Sequence, residues 1–150
     1  MKNTSFRFSA DEMMNQYRFE NGALSSVPIE NPYVFEGTYF SGGAGMISTL
    51  DDYAIFADAL AAGGCARSGY RLLQDQTVSL MHTEQLSQVA RDISFGCAAG
   101  PGYGYALGVR TLVDKSFGAK SPMGEFGLDG AAGAYMLADQ ENGISIAFTT

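Results

Sequence analysis

The sequence predicts an α+β fold in which helices precede an antiparallel sheet of at least three strands and pack on it. The helical signal is strongest between Leu50 and Ala61, where apolar residues recur at the spacing of one helix face. The strand signal is strongest near the end of the chain, where Ala134–Ala138 and Ile144–Phe148 form two apolar runs. The polar stretch between these runs ends in Asn142-Gly143, a pair that tolerates positive φ and therefore predicts a β-hairpin.

The composition is that of a globular, acidic chain. Its 150 residues are 46% hydrophobic, and 9 basic against 16 acidic side chains give a net charge of −7. This balance argues against a nucleic-acid partner, because such proteins need a basic surface to displace counterions from phosphates. No apolar run approaches the ~20 residues of a membrane span, and the first residues lack the apolar core of a signal peptide. We expect a soluble chain whose compartment the sequence leaves open.

The cysteine and histidine content argues against a metal centre. Cys65 and Cys97 are isolated from each other, and His82 is the only histidine. Zinc sites normally use paired, closely spaced ligands, so we expect two free thiols, no metal and no cofactor. The single histidine also removes most of the catalytic triads that depend on this residue.

The first third of the chain predicts one short helix and a long irregular segment. Ser9 and Glu12 have the spacing of a capping box, which predicts a helix carrying Met13 and Tyr17. Arg18–Gly45 contains an Asn-Gly turn and two prolines, and we expect it to be irregular. A loop of this length is either functional or packed on the surface, and the residues alone do not choose between these interpretations.

The rest of the chain predicts a second helix and a further strand. The strong helix at 50–61 should end at Gly63-Gly64 in a left-handed cap. A second helix is expected over Asp75–Leu86, a loop over Gln85–Gly102 and a strand over Tyr103–Val113, where apolar residues alternate. We expect one partial domain over residues 1–150, with residues 1–102 mainly helix and loop and residues 103–150 mainly antiparallel strands.

Glycines mark the segment before the final hairpin. Gly127, Gly130 and Gly133 recur at every third residue. Such glycines in a strand indicate a bulge or the close approach of another backbone or a ligand, and the alternative is ordinary packing of a strand against a helix. The chain contains no Gly-x-Ser-x-Gly and no Ser-x-x-Lys motif, and a nucleophilic serine needs a neighbouring base. Reasoning from the residues therefore stops at an acidic α+β domain with a glycine-rich strand edge.

The order of the segments resembles one family. GGAGMISTLDDYAIFADALAAGG, then GYRLLQDQTVSLM, YGYALGVR and FGLDGAAGAYMLADQENGISIAFTT are similar to the C-terminal half of serine β-lactamase-like proteins. MKNTSF resembles a segment that precedes these pieces in the same proteins, so the resemblance spans nearly the whole chain. It implies a partial β-lactamase/transpeptidase-like fold and a place among β-lactamases, DD-peptidases and related esterases, whose parents are often periplasmic or extracellular.

The resemblance also implies roles for four residues. Family members acylate a serine of a Ser-x-x-Lys motif, with help from a Tyr-x-Asn-like motif, and line the site with a Lys-Thr-Gly strand or a variant of it. Leu128 and Asp129 take the first two positions of that strand motif, at which side chains bind substrate, and Gly130 matches the third. Asp129 would repel a substrate carboxylate. Ala131 would donate one backbone N–H to the oxyanion hole, and the alternative for Gly130-Ala131 is a β-bulge.

Two functions remain open at this stage. The first is the C-terminal segment of a serine hydrolase that acts on a β-lactam, peptide or ester and lacks its nucleophile, so that it is inactive alone. The second is a non-catalytic binding module that retains this half of the fold. The first function implies a small acyl substrate once the remaining half is supplied, and both functions allow self-association through a sheet face that nothing covers.

Overall fold

The computed structural model describes residues 1–8, 12–27, 34–35, 39–43, 45–94, 100–130 and 133–149. These residues form two compact units, Met1–Thr49 and Leu50–Thr150. The prediction of a single partial domain over the whole chain stays a prediction. Within the described ranges, no helix has the length and apolar character needed to cross a lipid bilayer.

The first unit is built from two small antiparallel hairpins. Strand β1 (Gln16–Glu20) pairs with β2 (Ala23–Val27), and β3 (Val34–Phe35) pairs with β4 (Tyr39–Phe40). The first hairpin turns at Asn21 and Gly22, whose φ angles are 52° and 79°. Two successive residues with positive φ make the tight turn that matches the twist of a two-residue hairpin.

The helix predicted to carry Met13 and Tyr17 is wrong, because residues 13–15 are not helical and Gln16 and Tyr17 begin strand β1. The capping box that motivated it lies partly outside the described residues. Tyr17 and Phe19 alternate with polar residues, and aromatic residues at a period of two favour a strand over a helix. The Asn-Gly turn was predicted, but its partner strands were not, and the irregular segment expected from Arg18 contains the first hairpin instead.

The second unit contains the three α-helices of the described chain, α1 (Leu50–Ala61), α2 (Asp75–His82) and α3 (Gln88–Ser94), and a 3₁₀-helix at Lys115–Phe117. Helix α1 confirms the sequence prediction. It ends where Gly63 N–H donates to the Leu60 carbonyl and Gly64 N–H donates to the Ala59 carbonyl. The φ angles are 65° at Gly63 and 85° at Gly64. This pattern is a Schellman cap, which satisfies carbonyls that the helix leaves free.

The other two helices differ from the prediction. Helix α2 stops at His82, four residues before Leu86, because the next part of the chain bonds to the sheet: Gln85 N–H donates to the Tyr105 carbonyl. Helix α3 lies in the stretch that was expected to be a loop. Its first turn is held by the Ser87 hydroxyl, which accepts from Ala90 N–H at 3.2 Å.

The second unit also contains a five-stranded antiparallel sheet in sequential order. Its strands are β5 (Tyr103–Tyr105), β6 (Arg110–Leu112), β7 (Phe126–Asp129), β8 (Ala134–Asp139) and β9 (Ile144–Thr149). The single strand predicted over Tyr103–Val113 is a tight hairpin instead, because Gly108 takes a φ of 80° between β5 and β6. The hairpin of β8 and β9 is confirmed, and the buried Asp139 carboxylate accepts from the backbone and side chain of Asn142 in its turn.

The core lies between the sheet and helices α1 and α2. Buried residues from both helices, from the turn between β5 and β6, and from strands β7 and β8 form one cluster: Ala57, Leu60, Ala61, Val78, Ala106, Val109, Phe126, Met136 and Ala138. Because side chains alternate along a strand, Phe126, Met136 and Ala138 define the face of the sheet that the helices cover. The other face of β9 carries Ile144, Ile146 and Phe148, which are 51%, 45% and 53% exposed. The α+β prediction is therefore correct, with five strands in the sheet.

Gly127 is the position in the sheet at which a side chain has the least room. A Cβ atom built there would overlap the carbonyl oxygen of Met136 on the neighbouring strand. We expect Gly127→Ala to lower the free energy of unfolding by about 2 kcal/mol or more, because a backbone shift in β7 or β8 is required. Chemical denaturation followed by circular dichroism measures this change.

The matched control for this substitution is Gly42→Ala. A Cβ atom at Gly42 meets nothing within 4 Å, and its φ is not in the left-handed region. We expect the control to change stability by no more than about 1 kcal/mol. Equal effects of the two substitutions would contradict the close packing of β7 against β8.

Candidate functional site

The segment that the sequence singled out is strand β7 and the turn after it. Leu128 is half-buried and Asp129 is exposed at the C-terminal end of the strand. The pairing of Leu128 with Met136 and of Asp129 with Tyr135 places the two side chains on opposite faces of the sheet. Leu128 therefore lies on the face that the helices cover, and Asp129 lies on the other face.

The turn after β7 is closed by two backbone hydrogen bonds. Gly130 N–H donates to the Ala134 carbonyl at 2.6 Å, and Gly133 N–H donates to the Gly130 carbonyl at 2.9 Å. The amides of both described glycines are therefore engaged within the turn. Ala131, the predicted oxyanion donor, lies outside the described residues, and its role stays a prediction.

A buried arginine lies beside this strand on the face of Asp129. Arg110 of β6 is 5% exposed, and its Nη1 donates to Glu125 Oε1 at 3.1 Å. Its Nη2 donates to the Tyr135 hydroxyl at 2.8 Å. Glu125 is 1% exposed, so both members of this ion pair are removed from water. A buried pair of this kind is costly to desolvate, and removing one partner leaves an uncompensated charge.

Two tyrosine rings enclose the Arg110 guanidinium. Its Cζ lies 4.5 Å from the centroid of the Tyr103 ring and 5.3 Å from that of the Tyr135 ring, both within cation–π range. The Tyr103 hydroxyl donates to the second oxygen of Glu125 at 3.1 Å. The Glu125 carboxylate thus accepts from Arg110 on one oxygen and from Tyr103 on the other.

The side chain of Arg110 extends from β6 across β7 to β8, because β7 has a glycine at the crossing point. Arg110 belongs to β6 and Tyr135 to β8, and Gly127 of β7 pairs with Arg110 between them. On this face, Gly127 has no side chain to occupy the path of the guanidinium. The interpretation of the glycine as a place of close approach therefore fits Gly127, where the backbone of Met136 and Leu137 comes close.

Arg110, Glu125, Tyr103 and Tyr135 form one network, and burial and the charges within it shift two pKa values. Burial raises the pKa of the Tyr103 phenol, and the Glu125 carboxylate shifts it in the same direction. For Arg110, burial alone would lower the pKa, but Tyr135, Glu125 and Tyr103 more than offset it, and the net shift is upward. Tyr103 therefore stays a neutral donor and Arg110 stays a cation over the whole range of ordinary pH.

Asp129 is the exposed end of the network. Its Oδ1 lies 3.7 Å from Arg110 Nε, and its side chain is 58% exposed against 6% for Arg110. Sequence reasoning selected Asp129 and Gly130 but missed Arg110, Glu125 and the two tyrosines. A signal was present, because Arg110 and Glu125 are charged residues within or beside apolar strand segments, where a charge is rarely buried without a partner.

The other candidate ligands lie elsewhere. His82 stacks on Phe126 with ring centroids 4.7 Å apart, and its Nε2 bonds to Gln140 Oε1 at 2.8 Å, so this histidine is a packed residue at the end of α2. Cys65 is a free thiol, as expected, and Cys97 lies outside the described residues. Nowhere in the described ranges do three or more histidine, cysteine, aspartate or glutamate residues group so that they could hold a metal ion.

Comparison with known proteins identifies the family. A family model described as Beta-lactamase matches residues 1–150. The chain belongs to the beta-lactamase family, as the order of its segments predicted. This membership and the sheet with its covering helices confirm the predicted fold class.

The curated relatives are longer than this chain. Protein Rv1367c of Mycobacterium tuberculosis strain H37Rv is 33% identical over 148 residues, which are 93% of this chain and 37% of the relative. The uncharacterized protein MT1414 of strain CDC 1551 matches with the same values. The chain thus spans about two fifths of the length of these relatives.

Solved structures share the fold at lower identity. EstCE1, a hydrolase with promiscuous acyltransferase activity, superposes with a TM-score of 0.77 at 21% identity and covers 100% of this chain and 42% of its own. The LovD6 mutant of simvastatin synthase from Aspergillus terreus has a TM-score of 0.74 at 18% identity, over 98% of this chain and 40% of its own. Both similarities establish the fold.

The buried ion pair predicts a large cost for removing Arg110. We expect Arg110→Met to lower the free energy of unfolding by about 3–5 kcal/mol, because Glu125 would remain buried without its cation. A double-mutant cycle with Glu125→Gln, measured by urea denaturation, gives the coupling between the two side chains. The matched control is Arg67→Met, which breaks an ion pair with Asp58 from an 88% exposed arginine and should cost no more than about 1 kcal/mol. Additive effects of the Arg110 and Glu125 substitutions would contradict the pair.

The pKa shift of Tyr103 predicts a pH dependence. Because its pKa in the folded protein is raised, the neutral phenol contributes stability that is complete below the unfolded pKa of about 10 and is lost as pH rises through the folded value. The difference in ultraviolet absorbance between the wild type and Tyr103→Phe should therefore show a phenol that ionises above pH ~10. A difference titration centred at or below that pH would contradict burial of the phenol against Glu125.

Proposed function

We propose that this chain supplies the substrate-binding strand and one oxyanion amide of a serine acyl hydrolase or acyltransferase. The attacking serine hydroxyl is proposed to come from polypeptide outside these 150 residues. The proposal is carried by two observations: β7 ends at Asp129, directly before Gly130, and the chain belongs to the beta-lactamase family. The resemblance in sequence assigns Leu128-Asp129-Gly130 to the family's strand motif, and we propose that this assignment holds. The description of EstCE1 as a hydrolase with promiscuous acyltransferase activity supports acyl transfer as the reaction class.

The turn after β7 supports an amide donor at residue 131. The N–H groups of Gly130 and Gly133 are engaged within the turn, so an anion at this strand end needs an amide from the residues between them. In the proposed reaction, the serine oxygen attacks the acyl carbonyl and the carbonyl oxygen becomes an oxyanion, which accepts from Ala131 N–H. The proton that the serine hydroxyl loses passes to the leaving alcohol or amine as the bond of that group to the acyl carbon breaks. Water or another alcohol then attacks the acyl-serine, and its proton returns to the serine oxygen as the acyl–serine bond breaks.

The second candidate is a binding module without catalysis. Two observations favour it. Leu128 and Asp129 replace a basic and a hydroxyl residue of the motif, and neither can perform the role of the residue it replaces. In addition, the three apolar side chains of β9 on the face away from α1 are about half exposed. Such a row at an edge strand is suited to association with another polypeptide or with a second copy of this chain.

The proposal is tested with the chain alone and with the polypeptide encoded in frame before it. That polypeptide should contain Ser-x-x-Lys and Tyr-x-Asn motifs, and the combined protein should hydrolyse p-nitrophenyl butyrate. The chain alone should neither hydrolyse this ester nor form a covalent adduct with a fluorescent penicillin. Ala131→Pro, which removes the N–H, should lower kcat of the combined protein roughly 10²–10³-fold, whereas Ala131→Gly retains the amide and should change kcat only a few-fold.

Three outcomes separate the candidates. Turnover by the chain alone would place the nucleophile within these residues and contradict the proposal. Equal kcat values for Ala131→Pro and Ala131→Gly would show that the Ala131 amide takes no part in the reaction. If the in-frame polypeptide has no serine motif and the chain forms a complex in sedimentation velocity without any gain in activity, the binding module is the correct function.

A further inference from the structure

We infer that Asp129, anchored by Arg110, determines which substrates the site accepts by their charge, and that it admits cationic and neutral acyl groups and excludes anionic ones. The inference deepens the proposed function and rests on it for the position of the substrate at the end of β7. It comes from the charge balance of the network and from the commitment of Arg110 to its protein partners.

An arginine near a substrate site normally indicates binding of a carboxylate or phosphate. Arg110 does not have that role. Each of its three nitrogens faces a protein oxygen, at 3.1 Å for Glu125, 2.8 Å for Tyr135 and 3.7 Å for Asp129. Its side chain is 6% exposed, and tyrosine rings flank its guanidinium. A substrate carboxylate could reach this cation only by displacing one of these protein oxygens.

The network has a net negative charge. It contains one cation, Arg110, and two carboxylates, Glu125 and Asp129. Glu125 is 1% exposed and takes the shorter ion pair with Arg110, at 3.1 Å. The uncompensated charge is therefore located at Asp129, which is the exposed carboxylate and lies directly before Gly130.

The position of Asp129 is fixed by the strands around it. Asp129 ends β7 and pairs with Tyr135 of β8, whose hydroxyl accepts from Arg110. The network thus joins β5, β6, β7 and β8 on one face and leaves a 58% exposed carboxylate at the C-terminal end of β7. A carboxylate brought within a few ångströms of this charge is repelled, and a cation at the same place is attracted, by an energy that salt reduces.

The test is a titration of the 150-residue chain with three amides of the same length, followed by the ¹⁵N–¹H signals of Asp129 and Gly130. The ligands are neutral pentanamide, anionic 4-carbamoylbutanoate and cationic 5-aminopentanamide. We expect the cationic amide to bind about tenfold or more tighter than the anionic one at low salt, with the neutral amide between them. The ratio should fall as salt is added.

Substitutions at Asp129 test whether this residue causes the preference for the cationic amide. Asp129→Asn should reduce the ratio to about twofold or less, and Asp129→Lys should reverse it, because the net charge of the network changes sign. The control is Glu141→Gln, which removes one negative charge at the exposed turn between β8 and β9 and should leave the ratio unchanged. Equal affinity for the anionic and cationic amides, no shift of either signal with any ligand, or an effect of Glu141→Gln equal to that of Asp129→Asn would overturn the inference.

The titration needs no catalysis, so its failure differs from failure of the proposed function. If the combined protein hydrolyses p-nitrophenyl butyrate but the three amides bind equally, the proposed function holds and the charge selection is wrong. If the amides bind in the expected order but no ester is hydrolysed, Asp129 selects ligands for a site without the proposed chemistry.

Discussion

The buried ion pair between Arg110 and Glu125 is the interaction on which the proposed site depends. It connects the hairpin of β5 and β6 to the strand whose end carries Asp129 and Gly130. A buried pair of this kind adds little net stability, because desolvation offsets most of the attraction, but it penalises arrangements that leave either charge unpaired. Gly127 makes the pair's wider network possible, since a side chain at that position would stand between Arg110 and Tyr135. The sheet register, the missing Cβ atom at Gly127 and the buried pair of Arg110 and Glu125 therefore depend on one another.

The two faces of the sheet differ in the side chains that they carry. The face toward α1 is a conventional apolar core around Phe126, Met136 and Ala138. The opposite face carries the charged network around Arg110 next to the buried Leu112 and Leu137, and it is apolar at β9, where alternate side chains are about half exposed. The polar part belongs to the proposed acyl site, and the apolar part has the character of a contact surface. The chain belongs to the beta-lactamase family and spans about two fifths of the length of its curated relatives.

Sequence reasoning recovered the features that depend on neighbours along the chain. Helix α1 with its glycine cap and the hairpin of β8 and β9 follow from local periodicity and turn chemistry. It failed where contacts distant in sequence decide the outcome. Helix α2 ends early because Gln85 bonds to Tyr105, and the network around Arg110 joins residues up to 25 positions apart. The hairpin of β1 and β2 differs from the prediction for another reason: the capping pattern of Ser9 and Glu12 predicts a helix, whereas the alternation of Tyr17 and Phe19 favours a strand.

The central claim is that Arg110 is committed to protein partners and cannot bind substrate. The direct measurement is the ¹⁵N–¹H spectrum of the arginine side chains, with Arg110 assigned by its absence in Arg110→Met. An arginine held on three sides should give a Nε–H signal that exchanges slowly with water and separate Nη signals, and both should be lost in Glu125→Gln. A single averaged Nη signal with rapid water exchange, as an exposed arginine gives, would contradict the account.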